Sequence, residues 1–236
     1  MRELAFDLGY ERGVDRIGDV FIDHPKVKLT SLACVGTRDH LWRLDRVTGT
    51  AAGVTDFETA LSEGDASLGC PGTVPDGEYY AEILARQHGR WIVYSRHQDG
   101  DSTRSIPILA VRHFGDGLLF HNERAGNRTR WQVVMPNGVD VGAFCRDVRS
   151  SLSDGVTFDF GYVGRASGWE SFAGPTVTIS PEQRAALDAA AEHGYYEQPR
   201  GIELDDLAAS LDIPRSTLSY RLRRAEAELA EAFLSR

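Results

Sequence analysis

The stretch that decides how this chain is organised is Pro214–Arg224, PRSTLSYRLRR. It holds four arginines and no acidic residue, whereas the whole chain of 236 residues has a formal net charge of −9. A basic segment on an acidic protein indicates a partner with negative charge. Helical spacing then decides which of its side chains face that partner.

The apolar residues of this segment and of the sequence after it repeat with helical spacing. Intervals of four, three and four residues place them on one face, which is typical of a helix that packs on others: Leu218, Leu222, Ala225 and Leu229. Ser216, Tyr220 and Arg223 lie on the opposite face. Pro214 is expected to open this helix, since proline is tolerated in a first turn.

Two shorter helices are predicted upstream. Ser180 and Pro181 are typical of a helix N-terminus, and Gly194 is expected to end that helix. A second short helix covers residues 204–208, and a turn at 211–213 leads into the long helix. A short helix, a tight turn and a longer helix with a basic front follow the helix-turn-helix order.

This order assigns roles to side chains, because the N-terminal residues of the second helix of such a motif meet base edges. The predicted base contacts are Arg215, Ser216, Thr217 and Tyr220. The predicted phosphate contacts are Arg221, Arg223 and Arg224. Arginine can fork to guanine, and hydroxyl groups can bond bases or phosphates. The alternative is an exposed arginine face on a three-helix bundle without a DNA-binding role.

The C-terminal segment resembles the helix-turn-helix of the haloarchaeal bacterio-opsin activator family. Three features carry the resemblance: GYY at 194–196, PR at 199–200, and the run STLSYRLRRAE at 216–226. Residues 1–165 resemble, more loosely, the domain that accompanies this motif in the same family. The resemblance implies a transcription regulator and leaves its signal open.

The N-terminal part has mixed periodicity that predicts the order βαββαβ followed by βαββαβ. The predicted strands are 3–10, 26–36, 39–48, 78–87, 90–96, 118–122, 128–135 and 156–164, and the predicted helices are 13–23, 54–63, 105–114 and 139–152. This order is the split βαβ, or ferredoxin-like, unit twice over. The expected fold class is therefore α+β, with two four-stranded antiparallel sheets joined by their edges or packed by their open faces, before an all-α helix-turn-helix domain.

Two sequence matches indicate an internal duplication. Trp42 and Gly49, seven residues apart, recur as Trp131 and Gly138. DFETALSEG at 56–64 recurs as DVRSSLSDG at 147–155. A pair of such modules offers a cleft in which a small ligand can bind.

The acidic composition points to a cell that keeps molar salt inside. Thirty-five acidic residues stand against 26 basic ones, and Lys26 and Lys28 are the only lysines. A GC-rich genome is the alternative explanation for the arginine preference, although it does not supply the acid excess. The charged N-terminus and the lack of a long apolar run predict a cytoplasmic protein without a membrane contact.

The cysteines and histidines give no metal-site spacing that is typical of zinc proteins. A site built from Cys34, His40, Cys70 and His121 is conceivable, since sulfur and imidazole suit zinc or iron. Apolar neighbours favour core packing for Cys34 and Cys145, whereas Cys70 lies in a Gly/Pro loop and is a possible redox thiol. We expect no metal and no cofactor. The sequence holds no nucleophile elbow or phosphate-binding loop, so we do not expect an enzyme.

The predicted domains are a regulatory or sensor domain at 1–165, a linker at 166–178 and a DNA-binding domain at 179–236. The predicted function is a sequence-specific transcription regulator that binds double-stranded DNA, with a small-molecule effector or the basal transcription machinery as further partners. Leu229, Phe233 and Leu234 can supply a homodimer surface. The alternatives are a small-molecule-binding protein or enzyme with a helical assembly module, and an adaptor for the transcription machinery.

Overall fold

The computed structural model describes residues 1–62, 68, 77–87, 89–99, 105–166 and 179–234. The chain forms two compact units that divide between residues 167 and 168. The predicted linker, 166–178, lies outside the described residues except for its first position. Among the described residues, no helix is both long and apolar enough to cross a membrane.

The N-terminal unit contains eight strands and four helices within its described residues. The strands are β1 Arg2–Tyr10, β2 Lys28–Gly36, β3 His40–Thr48, β4 Gly77–Gln87, β5 Arg90–Asp99, β6 Leu119–Ala125, β7 Arg128–Met135 and β8 Val156–Arg165. The helices are α1 Arg16–Asp23, α2 Ala51–Ser62, α3 Ile106–Phe114 and α4 Val141–Ser151. The order of strands and helices agrees with the predicted one, and only the ends of the elements shift.

All eight strands form one antiparallel sheet in the order β4-β5-β3-β2-β6-β7-β1-β8. We call β4-β5-β3-β2 the first half-sheet and β6-β7-β1-β8 the second half-sheet. They meet edge to edge through β2 and β6, where Lys28 to Thr30 pair with Ala125 to Glu123. Of the two arrangements left open by the sequence, the structure has the edge-to-edge one.

The two half-sheets have exchanged their first strands. β1 lies between β7 and β8, and β5 lies between β3 and β4. Each four-stranded half was expected to form from one continuous βαββαβ segment, and the strand pairing shows that this part of the expectation is wrong. The tight β4–β5 hairpin explains the exchange, because its closing pair Gln87↔Arg90 keeps β5 beside β4. Gly89 turns this hairpin at φ +71°, where a Cβ atom would lie 2.7 Å from the carbonyl oxygen of Gly49.

The helices cover one face of the sheet, and each helix pair encloses its own apolar cluster. On the first half-sheet, Phe21 of α1 and Phe57 of α2 pack edge to face with ring centroids 6.0 Å apart. On the second half-sheet, Phe6, Trp131 and Phe144 form the centre of the larger cluster. Burial of an aromatic side chain of this size stabilises the fold by about 1.5–3 kcal/mol.

One of the two repeat matches corresponds to equivalent contacts. His24 follows α1 and places its Nε2 2.8 Å from Oδ2 of Asp56 in α2. His113 of α3 places its Nε2 2.8 Å from Oδ2 of Asp147 in α4. Each helix pair is therefore linked by a histidine–aspartate contact, and both aspartates lie at the start of a matched segment.

The other repeat match does not correspond to equivalent contacts. Trp42 and Trp131 lie in the topologically equivalent strands β3 and β7, but Trp131 is buried beneath the helices whereas Trp42 is exposed on the opposite face. A shift of one residue in a strand moves every side chain to the other face. The sequence match that aligns Trp42 with Trp131 is therefore shifted from the structural alignment of β3 with β7 by an odd number of residues.

Candidate nucleic-acid interface

The C-terminal unit is a bundle of three helices, α5 Pro181–Glu192, α6 Leu204–Ser210 and α7 Arg215–Leu234. Its core is small: Ala186, Ala190, Leu207, Ala208, Leu218 and Leu222. A capping box starts α5, in which Ser180 Oγ accepts from the backbone N–H of Gln183 and the Gln183 side chain accepts from the backbone N–H of Ser180. The predicted apolar stripe of α7 is buried as far as Ala225.

Two turns set the directions of the helices, and both close with the hydrogen bonds of a Schellman motif. After α5, the N–H of Gly194 donates to Ala191 and that of Tyr195 donates to Ala190. After α6, Asp212 occupies the equivalent left-handed position with φ +52°. Aspartate is one of the few side chains that tolerate this conformation. The sharp turn after α6 directs α7 across the bundle, as a helix-turn-helix requires.

Three polar side chains define the outward face of α7. Ser216, Tyr220 and Arg223 are exposed, and the Tyr220 side chain is 65% exposed. Within the described residues Arg223 has no ion-pair partner. This face therefore presents one hydroxyl, one phenol and one uncompensated cation to solvent.

The other predicted contacts lie on the flanks of that face. Arg215 is already engaged, with its Nε 2.6 Å from Oδ1 of Asp205 in α6. Thr217 and Arg221 are half-buried. Arg224 has an exposed guanidinium with Nη2 3.6 Å from Oε1 of Glu228 one turn later. Among the predicted contacts, Arg221 is turned furthest from the front of α7, towards Glu182 of α5, and Arg215 is tied to α6.

The segment 194–201 also contacts α7. The Tyr196 hydroxyl donates to Oε1 of Glu226 at 2.8 Å, and the Arg200 guanidinium lies 4.8 Å from the centroid of the Tyr195 ring. Burial and the neighbouring Glu226 carboxylate raise the pKa of Tyr196. The GYY and PR residues of the family pattern were the available signal, because they are the residues that make these contacts.

The predicted dimer surface lies at the end of α7. Leu229 is 44% exposed and Leu234 is 78% exposed, whereas the side chain of Phe233 lies outside the described residues. Leu229 continues the face that holds Leu218 and Leu222, beyond the point where α5 and α6 cover it. An uncovered leucine in this position is available to another surface.

Of the conceivable metal ligands, Cys34, His40 and His121 lie within the described residues and form no metal-binding cluster there. Cys70 lies outside the described residues. Cys34 and Cys145 are buried free thiols, and burial raises the pKa of Cys34 to about 12 and also raises that of Cys145. His40 lies at the surface beside Asp39. The described part of the chain contains no cluster of three or more histidine, cysteine or acidic side chains that can hold a metal ion.

Two family models match the chain. Residues 3–169 match the HVO_2928_N family of N-terminal domains, which covers more than half of the sequence. This chain belongs to the HVO_2928_N family. Residues 179–231 match HTH_10, a helix-turn-helix DNA-binding domain. The C-terminal bundle of this HVO_2928_N protein is therefore a DNA-binding domain, as the spacing of α6 and α7 predicted.

Named relatives of the HVO_2928_N protein match it over the HTH_10 domain. It is 49% identical over 55 residues to a dimethyl sulfoxide reductase transcriptional activator of Haloferax volcanii, covering 23% of this chain and 26% of that protein. It is 46% identical over 52 residues to the activator of the same name in Halobacterium salinarum, covering 22% and 23%. It is 39% identical over 56 residues to the transcriptional regulator NarO of Haloferax volcanii, covering 24% and 26%. The alignment spans about a quarter of each relative, and it confirms the resemblance to haloarchaeal regulators over this domain.

Proposed function

We propose that this protein is a sequence-specific DNA-binding transcription regulator of a halophilic archaeon, and that α7 is its recognition helix. The single observation that carries the proposal is the outward face of α7, where Ser216, Tyr220 and Arg223 are exposed. The match to the HTH_10 domain and the names of the three relatives support it. A regulator that acts on genomic DNA works in the cytoplasm and needs no catalytic site.

In this proposal the position of a side chain on α7 decides whether it contacts a base or a phosphate. Ser216, Thr217 and Tyr220 contact base edges, and Arg215 joins them after it exchanges Asp205 for a base. Arg221, Arg223 and Arg224 contact phosphates. Arg223 is the strongest phosphate candidate, because it does not have to break an ion pair within the described residues.

The uncovered end of α7 provides the proposed homodimer contact. A dimer places two recognition helices on two half-sites of one operator. Avidity matters in molar salt, because each phosphate contact loses affinity with a log–log slope of about −0.9. Base contacts and the apolar surface around Leu229 depend less on salt.

The N-terminal unit is proposed to carry the signal as a domain derived from two ferredoxin-like units that exchanged their first strands. The His24–Asp56 and His113–Asp147 contacts support the duplication. A small-molecule effector, the basal transcription machinery or oxidation of Cys70 would act through this unit. Because Cys34 and Cys145 are buried, thiol chemistry is assigned to Cys70 alone.

The test is binding of the full chain to upstream fragments of its own genome in molar potassium chloride. We expect Tyr220→Ala to cost about 1–3 kcal/mol on the selected site and to relax base preference. Arg223→Ala should weaken all sequences alike and reduce the salt slope by about 1. Arg184→Ala is the matched control, since Arg184 is an exposed arginine of α5. Equal losses for Arg184→Ala and Arg223→Ala would show that α7 is not the recognition helix.

A further inference from the structure

The uncovered face of the first half-sheet carries a row of aromatic and basic side chains. Strand register aligns Val35, Trp42, Arg96 and Tyr80 as neighbours across β2, β3, β5 and β4. Trp42 is 37% exposed and Tyr80 is 45% exposed. Side chains alternate between the faces of a strand, and Arg43, the neighbour of Trp42, is buried on the helix side. The row therefore lies on the face that the helices leave uncovered.

These rings are held in fixed orientations before any ligand arrives. His40 stacks on Trp42 with ring centroids 5.5 Å apart and an interplanar angle of 8°. The Arg96 guanidinium lies 5.6 Å from the centroid of the Tyr80 ring, and the Tyr80 hydroxyl donates to Glu82. A ring that is already oriented loses little conformational freedom when a flat ligand stacks on it.

The same face carries basic side chains of β2, β3 and β5, although two acidic residues of β4, Glu78 and Glu82, flank Tyr80. Lys28 and Arg46 extend from β2 and β3, as Arg96 does from β5, while Leu29, Asp45 and Val47 on the alternate positions are buried. Lys28 is one of only two lysines in a chain with a net charge of −9. Aromatic rings beside cations favour a ligand that combines flat rings with negative charge.

The second half-sheet has the same strand order and also exposes a ring on this face, Tyr162, but its hydroxyl donates to Glu3 and the arginines nearby are paired with carboxylates. Arg130 Nε lies 3.1 Å from Oδ1 of Asp7, and Arg128 Nη2 lies 2.6 Å from Oδ2 of Asp159. Its arginines are thus paired with carboxylates, whereas Trp42, Arg96 and Tyr80 form a stacking surface. The stacking surface is a property of one half of the molecule and not of the fold.

We propose that the open face of the first half-sheet binds single-stranded nucleic acid, with bases stacked on Trp42 and Tyr80 and Arg96 placed between them. A four-stranded sheet with aromatic side chains on its exposed face is a known platform for unstacked bases. A duplex does not suit it, because duplex bases are already stacked and the major groove admits only a helix or a two-stranded ribbon.

The shape of the surface favours a strand over a small molecule. The row spans four strands that lie about 4.8 Å apart, which gives room for more than one base. The neighbouring cavity, of about 200 Å³, is lined by His40, Trp42, Glu78, Arg96, His97 and Gln98. That volume is below the roughly 300–1,000 Å³ of typical small-molecule pockets.

The experiment measures the affinity of the full chain for fluorescein-labelled dT20 and rU20 by anisotropy at several concentrations of potassium chloride. We expect Trp42→Leu and Tyr80→Leu each to weaken binding about 5- to 100-fold, as loss of one stacked base does. Trp42→Phe keeps a ring and should keep most of the affinity. Arg96→Gln should weaken binding and flatten the salt dependence.

Two control variants change matched side chains on the other half-sheet. Arg130→Gln and Tyr162→Leu remove an exposed arginine and an exposed aromatic ring of β7 and β8 on the open face, and both should leave binding unchanged. Binding to a DNA duplex should be the same for Trp42→Leu as for the unchanged protein. This comparison separates the sheet face from the helix-turn-helix.

Three outcomes would overturn the proposal. They are the absence of binding at 100-fold excess of protein over probe, equal affinity for uridine monophosphate and rU20, and equal losses from the control variants and from Trp42→Leu. If Trp42→Leu fails to fold by circular dichroism, Tyr80→Leu and Arg96→Gln decide the question, because both side chains are exposed.

Discussion

Strands β3 and β7 occupy equivalent places in the two half-sheets and have opposite chemistry on their two faces. In β3 of the first half-sheet, Arg43 and Asp45 are buried under the helices and Trp42 is exposed. In the equivalent strand β7, Trp131 is buried and Arg130 is exposed. The arginine of β3 forms a buried ion pair, and the arginine of β7 forms an exposed one.

This inversion does not serve stability. A buried ion pair is often no more stabilising than apolar residues of similar volume, because both charges lose their water. An exposed tryptophan also forgoes the gain of burial. Both departures occur in one strand, and places where a chain breaks the usual pattern without a stability gain are expected to be functional.

The buried pair also joins the two halves. Arg43 donates from Nε and Nη2 to the carboxylate of Asp45 at 3.0 and 2.7 Å, and from Nη2 to Oδ1 of Asn122 in β6 at 2.6 Å. Burial raises the pKa of Asp45, and the neighbouring Arg43 opposes that rise. Arg43 thus connects β3 of the first half-sheet to β6 of the second half-sheet, across the β2–β6 junction.

The largest expected effect comes from breaking that buried pair. Asp45→Ala leaves the Arg43 charge buried without its carboxylate, and we expect it to lower the free energy of unfolding by about 3–5 kcal/mol. Denaturant unfolding in molar potassium chloride measures this. The control is Asp7→Ala, which breaks the more exposed pair with Arg130 and should cost about 0–1 kcal/mol. Similar losses for the two variants would remove the distinction between the half-sheets.

A double substitution tests the same point without leaving a buried charge unpaired. Arg43→Met with Asp45→Leu replaces the pair by apolar groups and should recover most of the stability lost in Asp45→Ala. If the double variant is as unstable as the single one, then the hydrogen bond to Asn122 matters more than the burial of charge.

The second prediction compares the two buried thiols. Burial raises the pKa of both thiols and raises that of Cys34 further, to about 12, although Arg43 opposes the rise at Cys34 as Arg149 does at Cys145. The thiolate is the reactive form. At pH 8 a thiol of pKa 12 has about 10³-fold less thiolate than one of pKa 9, so iodoacetamide should label Cys34 more slowly than Cys145.

Mass spectrometry of peptides from the labelled, folded protein reads both rates. The same reaction in denaturant is the control, because both thiols should then react at similar rates. Faster labelling of Cys34 than of Cys145 in the folded protein would contradict the burial that the structure gives it.

The smallest expected effect tests the likeness of the halves instead of their difference. His24→Ala and His113→Ala each remove one histidine–aspartate contact between a helix pair. The aspartates are more than half exposed, so each loss should be about 0.2–1 kcal/mol. Thermal unfolding near pH 6 measures both. Losses that differ by more than the range just given would show that the two contacts are not equivalent.

Sequence reasoning reached the order of elements because apolar periodicity differs between strands and helices, as in β1 and α7. It did not predict that β1 and β5 exchange places between the half-sheets. β1 (RELAFDLGY) and β5 (RWIVYSRHQD) both contain an apolar stretch typical of a strand, so either suits either half-sheet, and the choice depends on the hairpin at Gly89. It also misread the tryptophan match, because a residue type does not reveal which face of a strand it occupies.

For the DNA-binding helix α7, the spacing of its apolar residues correctly predicted that Ser216, Tyr220 and Arg223 face outward. The spacing did not predict the ion pair between Arg215 and Asp205, because this contact joins α7 to α6 and the angle between these helices depends on the turn at Asp212. The bond between Tyr196 and Glu226 was missed for the same reason. Contacts within one helix follow from the sequence, and contacts between elements need the packing.

The exchange of β1 and β5 has a consequence for the order in which the protein can be built on the ribosome. Arg2 pairs with Met135 in β7 and with Arg165 in β8. β1 is synthesised long before β7 and β8, so it waits with its apolar face unpaired until nearly the whole unit has left the ribosome. Neither half-sheet can be completed without a strand from the other. We therefore expect the N-terminal unit to fold in one cooperative step and not as two modules, one after the other.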